Sequence, residues 1–364
     1  MKIKDIINAL ERFAPLPLQD GFDNSGLQIG LTQVEATGAL LCLDVTESII
    51  DEAIAKGCNL VIAHHPLLFK GYKSITGKDY VERCIMKAIK NDVVIYAAHT
   101  NLDNSTGGVS FKIANKLGLK NIQILSPKSE MLSKLVTFVP TAQLDVVKTA
   151  LFNAGCGNIG NYDSCSYVAA GEGTFRAKEG ANPFVGEVGQ VHTEPETRIE
   201  TIFPTHLKSK VLSALLAAHP YEEVAFDIYA LENSWNTVGA GVIAEVETAT
   251  DELAFLKQIK ETFHVGCVKH SNLRNKQIKR VAICGGSGGF LLSQAIGAGA
   301  DLFLSAEVKY HDYFGKEKDI LIADIGHYES EQFTIELFAE LLEEQCPDVK
   351  FYKTEINTNP INYL

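Results

Sequence analysis

The chain has 364 residues and a formal net charge of -12, with 46% hydrophobic and 21% charged residues. The length accommodates two or three domains, and the composition is that of a globular protein with ample material for a core. The negative charge argues against a protein that binds nucleic acid by neutralising phosphates, because such proteins need a basic face.

We predict a cytoplasmic protein without a membrane segment. The N-terminal residues lack the apolar stretch and small-residue cleavage site of a signal peptide. No apolar run reaches the about 18 residues that a membrane span needs. None of the eight cysteines belongs to a CxxC pair, which favours reduced, mostly buried thiols over a structural zinc site.

Residues 1–125 alternate short apolar runs with amphipathic stretches. The apolar runs predict strands at 38–44, 59–63 and 93–98. The amphipathic stretches predict helices at 47–56, 81–90 and 109–117. Short continuous apolar strands separated by such helices are typical of a parallel sheet that is covered on both faces.

The segment from about residue 132 to about residue 231 follows a different order of strand, helix, two strands, helix and strand. That order is typical of a ferredoxin-like βαββαβ unit. A Gly-rich stretch at 171–189 lies between its inner strands and predicts a long hairpin or loop. The first pattern then resumes, with strands at 280–284, 301–305 and 320–325 and a long helix at 330–344.

We therefore predict an α/β protein made of two related halves with mixed or parallel sheets. An inserted ferredoxin-like α+β domain interrupts the two halves. The predicted boundaries are 1–130 for the first half, 131–235 for the insert and 236–364 for the second half.

Histidine and carboxylate residues follow three of the predicted strands. They are His64 and His65, then His99 and Asp103, then His327 and Glu331. Because binding sites form at the carboxyl ends of strands in open parallel sheets, we expect these groups to converge. A single histidine after a strand is more often structural, but this many at three strand ends indicates a site.

The residue types predict a pair of divalent metal ions. Imidazole and carboxylate suit Zn, Fe, Mn, Co or Ni. Adjacent histidines on an extended chain suit two neighbouring ions, and one carboxylate can bridge ions about 3.5–4 Å apart. The predicted ligands are His64, His65, Asp103, His327 and Glu331. His99 is predicted to orient a ligand or to cap the structure.

A Gly-rich run follows the strand at 280–284. It comprises Gly285, Gly286, Ser287, Gly288 and Gly289. Free backbone N–H groups there predict a phosphate site, and the alternative is a tight strand-to-helix turn. The run lacks the Lys-Ser/Thr pair of a P-loop and the full GxGxxG spacing. His311, in the polar stretch 307–312, is predicted to line the same pocket.

These motifs resemble a known family. The HHP triplet at 64–66, the HTNLD run at 99–103, the Gly-rich run and the GHYESE run at 326–331 look like those of one dinuclear-metal family. It is named after a yeast NGG-one interacting factor three, and many members are called GTP cyclohydrolase I type 2 homologs. The middle segment is similar to the CutA/PII-like insert of longer bacterial members, notably in the sequence HPYE at 219–222.

The resemblance implies more than the residues alone do. It implies that His65 and Asp103 hold one ion, that His64 and His327 hold the other, and that Glu331 bridges them. It also implies a homohexameric ring with the sites facing a cavity that the inserts cap. In one departure from the family, residues 239–241 read GAG where members often carry an arginine, so no anion contact is expected from that strand.

Two classes of function follow. The first is a metal-dependent hydrolase that acts on a small phosphorylated or nucleotide substrate. The cyclohydrolase name implies opening of the guanine imidazole ring of GTP with release of formate, and His99 or His311 would carry protons. The alternative is a metal-binding, metal-delivery or regulatory protein without turnover. The expected partners are further copies of the chain and a small molecule, and neither a membrane nor nucleic acid.

Overall fold

The computed structural model describes residues 1–364, in which helices flank three β-sheets. The helices are α1 Ile3–Phe13, α2 Glu47–Ala55, α3 Tyr80–Lys90, α4 Thr100–Asp103, α5 Val109–Lys116, α6 Leu144–Ala154, α7 Lys208–Ala218, α8 Glu252–Thr262, α9 Leu292–Gly297, α10 His327–Glu331 and α11 Thr334–Gln345. The strands are β1 Gly26–Ile29, β2 Ala39–Cys42, β3 Leu60–Ala63, β4 Val94–Ala97, β5 Lys120–Lys128, β6 Leu132–Pro140, β7 Tyr167–Arg176, β8 Val191–Pro204, β9 Phe226–Leu231, β10 Trp235–Asp251, β11 Lys269–His270, β12 Gln277–Ser287, β13 Leu302–Ala306, β14 Leu321–Asp324 and β15 Phe351–Lys353.

The chain divides into two units. The larger unit contains Met1–Ser126 and Thr237–Leu364, and the smaller unit contains Pro127–Asn236. The fold class is mixed α/β with several sheets, as the strand and helix patterns indicate. That the smaller unit is an independent inserted domain stays a prediction.

The first sheet of the larger unit has the order β1-β4-β3-β2-β15. Strands β2, β3 and β4 run parallel, and every residue in them is buried, which explains their continuous apolar sequences. At one edge β1 runs antiparallel to β4, and at the other β15 runs parallel to β2. The last strand of the chain therefore completes a sheet that its first third begins.

The second sheet of the larger unit has the order β11-β14-β13-β12-β10-β5. Strands β12, β13 and β14 run parallel, whereas β10 and β11 are antiparallel to their neighbours. Its edge strand β5 comes from the N-terminal part of the chain. Each of the two sheets thus contains an edge strand from the opposite part of the chain.

One apolar core contains side chains of both sheets and of the helices α1, α5, α8 and α11. Helix α1 shows why these segments become helical. Ile3, Ile6, Ile7 and Leu10 recur at helical spacing and are all buried, while the side chain of Asp5 accepts a hydrogen bond from the N-cap backbone. Burial of this stripe against the sheets stabilises the helix, since short helices are marginal by themselves.

The smaller unit has the element order β6-α6-β7-β8-α7-β9 and an antiparallel sheet of order β7-β8-β6-β9. This is the βαββαβ order that the sequence pattern predicts. Its core joins strand residues such as Val139 and Ile199 to Leu151 of α6 and Leu215 of α7. The helices therefore cover one face of the sheet.

One prediction about local structure was wrong. The single helix predicted at 330–344 is two helices, α10 and α11. The Gln332 side chain lies at the break, where its Nε2 atom donates to the backbone carbonyls of Glu329 and Phe263 at 2.9 and 3.0 Å.

None of the helices combines the length and the apolar character that a membrane span requires. All eight cysteines are free thiols.

Candidate metal centre

The candidate centre lies in the larger unit, where β3, β4 and β14 end. His64 and His65 follow β3 directly, Asp103 is the last residue of α4 after β4, and α10 carries His327 and Glu331. The turn into α10 needs Gly326, whose φ of 94° lies in the left-handed region. The structure thus brings together all five residues that the sequence predicts as ligands.

His64 is fully buried, and its ring orientation is set by the backbone. Its Nδ1 atom lies 2.8 Å from the carbonyl oxygen of Ala98. Because a carbonyl only accepts, Nδ1 carries the proton and Nε2 keeps its lone pair. Nε2 has no hydrogen-bond partner and faces carboxylate oxygens of Asp103 and Glu331, each at 3.7 Å.

This environment fits a metal ligand. Burial lowers the pKa of His64, which favours the neutral imidazole that metals bind. Buried polar atoms are almost always hydrogen-bonded, so an unpaired Nε2 atom aimed at two carboxylates fits a site that can hold a cation.

His65 is oriented by a carboxylate and a hydroxyl. Its Nδ1 atom lies 2.8 Å from Asp44, and the other oxygen of Asp44 accepts from the Thr358 hydroxyl at 2.7 Å. Its Nε2 atom lies 3.0 Å from a Glu331 oxygen and 3.3 Å from Nε2 of His327. Burial alone would lower the pKa of His65, but the hydrogen bonds with Asp44 and Glu331 raise it to about 10.

Glu331 is 3% exposed and lies at the middle of the cluster. Burial would raise its pKa, but His64, His327 and His65 hold the pKa well below its ordinary value. Burial and then the charge of Glu331 raise the pKa of Asp103 well above its usual range. The two carboxylates therefore compete for ionisation, and a divalent cation would favour the charged form of both.

His327 is held from both sides of its ring. Its Nδ1 atom lies 3.2 Å from a Glu307 oxygen and its Nε2 atom 3.2 Å from Glu331. Glu307 has a φ of 53°, in the left-handed region that non-glycine residues rarely adopt. Such backbone conformations concentrate at functional sites, and this one presents a carboxylate to the histidine.

His99 adjoins the cluster, and Asp23 holds its ring. The His99 Nδ1 atom lies 2.8 Å from Asp23, whose other oxygen accepts from the Thr100 backbone at 3.0 Å. Burial would raise the pKa of Asp23, but the hydrogen bonds from His99 and Thr100 lower it. The His99 ring lies 5.2 Å from that of His64 and 5.4 Å from that of His65.

The ligand atoms form two overlapping groups, each within 4.8 Å. One group is His64, His65 and His99, and the other is His65, His327 and Glu331. The cluster can therefore hold a metal ion. Asp103 lies 3.7 Å from Nε2 of His64, and Nε2 of His65 lies 3.3 Å from that of His327, whereas the family resemblance pairs His65 with Asp103. The division of ligands between two ions stays a prediction.

His311 does not join this cluster. It is exposed on the turn Tyr310–Tyr313, and its ring contacts those of Tyr310 and Phe314, with centroids 5.3 and 6.2 Å away. Its predicted role in proton transfer gains no support from this position.

The Gly-rich run has a different environment from a free phosphate loop, since three of its N–H groups already donate to serine hydroxyls. The pairs are Gly285 with Ser110, Gly286 with Ser330 and Gly288 with Ser305, at 3.3, 2.9 and 3.0 Å. A Cβ atom at Gly286 would overlap the Glu331 carboxylate. These glycines let β12 approach α10, which carries His327 and Glu331, closely, and phosphate binding there stays a prediction.

We expect Gly286→Ala to weaken metal binding by about tenfold or more, since outer-shell changes typically cost that much. The new Cβ would displace Glu331 and lie 3.4 Å from His327, and φ is 62° at this position. Competition with a chromophoric chelator measures the affinity. Gly297→Ala is the matched control, because nothing lies within 4 Å of a Cβ there. Equal affinity in both variants would contradict this account.

Comparisons with known proteins agree on one family. The profile described as Duf34/NIF3 (NGG1p interacting factor 3) matches residues 1–360. A Halalkalibacterium halodurans protein named GTP cyclohydrolase 1 type 2 homolog is 40% identical over 364 residues, which is 99% of this chain and 98% of that protein. A Bacillus subtilis protein of the same name is 36% identical over 367 residues, again 99% and 98% of the two chains.

The fold agrees with these sequence matches. The crystal structure of a Bacillus cereus protein related to NIF3 has a TM-score of 0.87 and 36% identity to this chain. The match covers 100% of this chain and 99% of that one. Full-length matches in both sequence and fold leave one assignment: the chain belongs to the Duf34/NIF3 family.

Proposed function

We propose that the chain is a metal-dependent hydrolase that acts on a small phosphorylated or nucleotide substrate. The observation that carries this proposal is the buried cluster of imidazoles and carboxylates with an unpaired His64 Nε2 atom. The relatives named GTP cyclohydrolase 1 type 2 homolog support a nucleotide as the first substrate class to test.

We propose two divalent ions, held by His64, His65, Asp103 and His327, with Glu331 as the bridge. The donor set suits Zn, Fe, Mn, Co or Ni. When bound, such a pair lowers the pKa of water and polarises a carbonyl or phosphoryl oxygen. Asp44 and Glu307 would fix the orientation of the histidines that they contact.

His99 is our candidate for proton transfer. The Asp23 carboxylate accepts a hydrogen bond from the Nδ1 atom of His99. The Nε2 atom of His99 can therefore take up a proton or, in the charged ring, release one. Asp23 can stabilise the imidazolium that forms, because its own pKa is held low.

A cavity of about 720 Å³ is lined by Asp23 and Phe69, which both contact His99, and it supports a small organic substrate. Its walls include Phe22 and Phe69, and the Phe69 ring lies 5.8 Å from that of His99 in an edge-to-face arrangement. Volumes of about 300–1,000 Å³ are typical of small-molecule sites. Partly exposed aromatic rings beside a polar cluster suit a planar base.

The test is turnover of GTP and a panel of phosphomonoesters and phosphodiesters with each candidate metal. We expect His64→Ala to lose metal and activity together. His99→Gln should retain the metal and lose activity about 100-fold or more, as for a general acid–base residue. The exposed variant Glu340→Gln is the control. Tight metal binding without turnover under any of these conditions would favour the metal-delivery or regulatory alternative.

We propose further that the chain assembles as a homohexamer and that its smaller unit is a CutA/PII-like insert. The βαββαβ order of that unit supports the second statement. The first is supported by large apolar side chains that the larger unit exposes. They include Leu31 and Phe290, which are 76 and 63% exposed. Such surfaces often mark interfaces between subunits.

Light scattering should therefore give a mass near six times the 39.7 kDa of one chain. We expect Leu31→Lys to lower this mass, because a charge in an apolar interface is costly to bury. Lys4→Glu, which changes a charge on an exposed helix position, is the control. A monodisperse monomer that retains its metal would refute the hexamer without affecting the metal centre.

A further inference from the structure

A second cavity, of about 790 Å³, lies entirely within the smaller unit. Val139 and Ile199 face the helices, so their neighbours Phe138 and Arg198 face the opposite side of the sheet. The cavity lies on that side, and Phe138 and Arg198 are part of its floor. The hairpin loop after β7 and the turn before β9 contribute its walls.

The main polar group of this cavity is the carboxylate of Glu196, which is 8% exposed. One of its oxygens accepts a hydrogen bond from the Tyr221 hydroxyl at 2.9 Å. No Lys, Arg or His forms an ion pair with Glu196. The nearby Arg198 pairs with Glu200 instead, at 2.9 Å. A Cβ atom at Gly173 would overlap the carboxylate, so a glycine on the adjacent strand makes room for it.

A buried carboxylate without a cation is costly unless something compensates its charge. Hydrogen bonding from one phenol compensates it only in part. The arrangement therefore indicates that the missing cation is supplied by a ligand.

Aromatic rings surround the same space. The Tyr221 ring lies 6.0 Å from that of Phe175 and 6.3 Å from that of Phe184. His219 holds this tyrosine in place. Its Nδ1 atom accepts from the Tyr221 backbone at 3.1 Å, and its Nε2 atom donates to the Phe138 carbonyl at 2.9 Å. Tyr221 and Glu222 of the HPYE sequence at 219–222 thus line the cavity, and His219 supports them.

The loop wall is also held in place, since the backbone N–H of Asn182 donates to Glu222 at 2.9 Å. Three cations, Arg176, Lys178 and Arg198, line the cavity as well, but all three residues are exposed. Solvent and salt screen exposed charges far more than buried ones, so Glu196 dominates the electrostatics of the interior.

A buried carboxylate inside aromatic walls is the chemistry that binds an organic ammonium group. We propose that this cavity binds a small organic cation, an amine with an apolar body, whose nitrogen pairs with Glu196 while its body packs against Phe175, Phe184 and Tyr221. The site is independent of the metal centre and of the proposed hydrolase activity.

The test titrates the full-length, metal-loaded protein with three fluorinated probes and follows them by ¹⁹F NMR. The probes are 4-fluorobenzylamine, 4-fluorobenzyl alcohol and 4-fluorobenzoate, which share one ring and differ in charge. We expect the amine to bind about tenfold or more tighter than the alcohol, and the benzoate to bind least.

The variant Glu196→Gln should abolish the preference for the amine, because it removes the charge and keeps the shape. Glu194→Gln is the matched control, since that carboxylate lies on the same strand and already pairs with His192 at 2.8 Å. His64→Ala should leave amine binding unchanged, which separates this cavity from coordination of the amine at the metal centre.

Equal binding of amine and alcohol, or no amine binding at millimolar concentration, would overturn the proposal. So would unchanged amine binding in Glu196→Gln or its loss in His64→Ala. Where circular dichroism shows that Glu196→Gln is unfolded, the ranking of the three probes on the unaltered protein decides by itself.

Discussion

Replacing Glu331 by glutamine is expected to lower metal affinity by more than the about 10–100-fold that loss of an outer-shell partner costs. The carboxylate lies 3.7 Å from Nε2 of His64, 3.0 Å from that of His65 and 3.2 Å from that of His327. It is the one acidic group within reach of all three imidazoles. An amide keeps the shape of the side chain but has no charge and one fewer oxygen acceptor.

Elemental analysis of the purified variant and chelator competition measure this loss. Glu340→Gln is the matched control, because Glu340 lies on α11, is exposed and pairs with Lys112. Near-ultraviolet circular dichroism should show that both variants retain their packing. If the metal content of Glu331→Gln equals that of the control, the bridging role assigned to Glu331 is wrong.

Deleting residues 351–364 is expected to lower the free energy of unfolding of the larger unit by about 3 kcal/mol or more. The deletion removes β15 and its pairing with β2. It also removes Phe351 and Tyr352, which pack against two separate apolar clusters. The Thr354 N–H, which donates to the Leu41 carbonyl at 3.0 Å, is lost as well.

Calorimetry measures this effect as a fall of roughly 6–12 °C in the unfolding temperature of the larger unit. The transition of the smaller unit serves as an internal reference. Deleting only residues 360–364 is the control, because it leaves β15, Thr354 and Thr358 in place. An unchanged transition after the longer deletion would show that β15 contributes little to the sheet.

The same deletion would also remove Thr358, so a point variant separates stability from metal binding. Thr358→Val keeps the volume and loses the hydrogen bond to Asp44. Any loss of metal affinity in that variant comes from the orientation of His65, since β15 is intact.

The parallel strands could be predicted because they are buried on both faces. Each of β2, β3 and β4 is a continuous apolar run, a pattern that needs no knowledge of neighbours. Strand β1 is a short edge strand with a mixed burial pattern, and only its pairing with β4 makes it a strand. The break after α10 likewise depends on a contact with Phe263, which is distant in sequence.

The convergence of the five candidate ligands could be predicted because each follows an apolar strand closely. Their supporting partners could not be paired from sequence. Asp44 and Thr358 are separated by 314 residues, and Asp23 and His99 by 76. No local pattern links such pairs, because only the assembled sheets bring them together. The position of Asp44, a polar residue at the end of a strand, was a sequence signal that it lies near the site.

The Gly-rich run at 285–289 is a second feature whose role could not be predicted from sequence. A glycine cluster after a strand is compatible with a phosphate loop and with close packing against a helix. In a phosphate loop the backbone N–H groups are free to bind the anion, whereas in close packing the N–H groups and the Cα atoms of the glycines contact other residues. Here they face Ser110, Ser330 and Ser305 on one side and Glu331 on the other.

The exchange of edge strands has a consequence for synthesis on the ribosome. Strand β5 emerges early, but its neighbour β10 and the remaining strands of that sheet follow the whole smaller unit. Strand β15 emerges last, although its neighbour β2 was made more than 300 residues before. Each half of the larger unit therefore waits with an unpaired edge while translation continues, and unpaired edges invite association with other chains. We expect nascent chains that stall before residue 351 to depend on chaperones, and the smaller unit, whose strands are contiguous in sequence, to fold first.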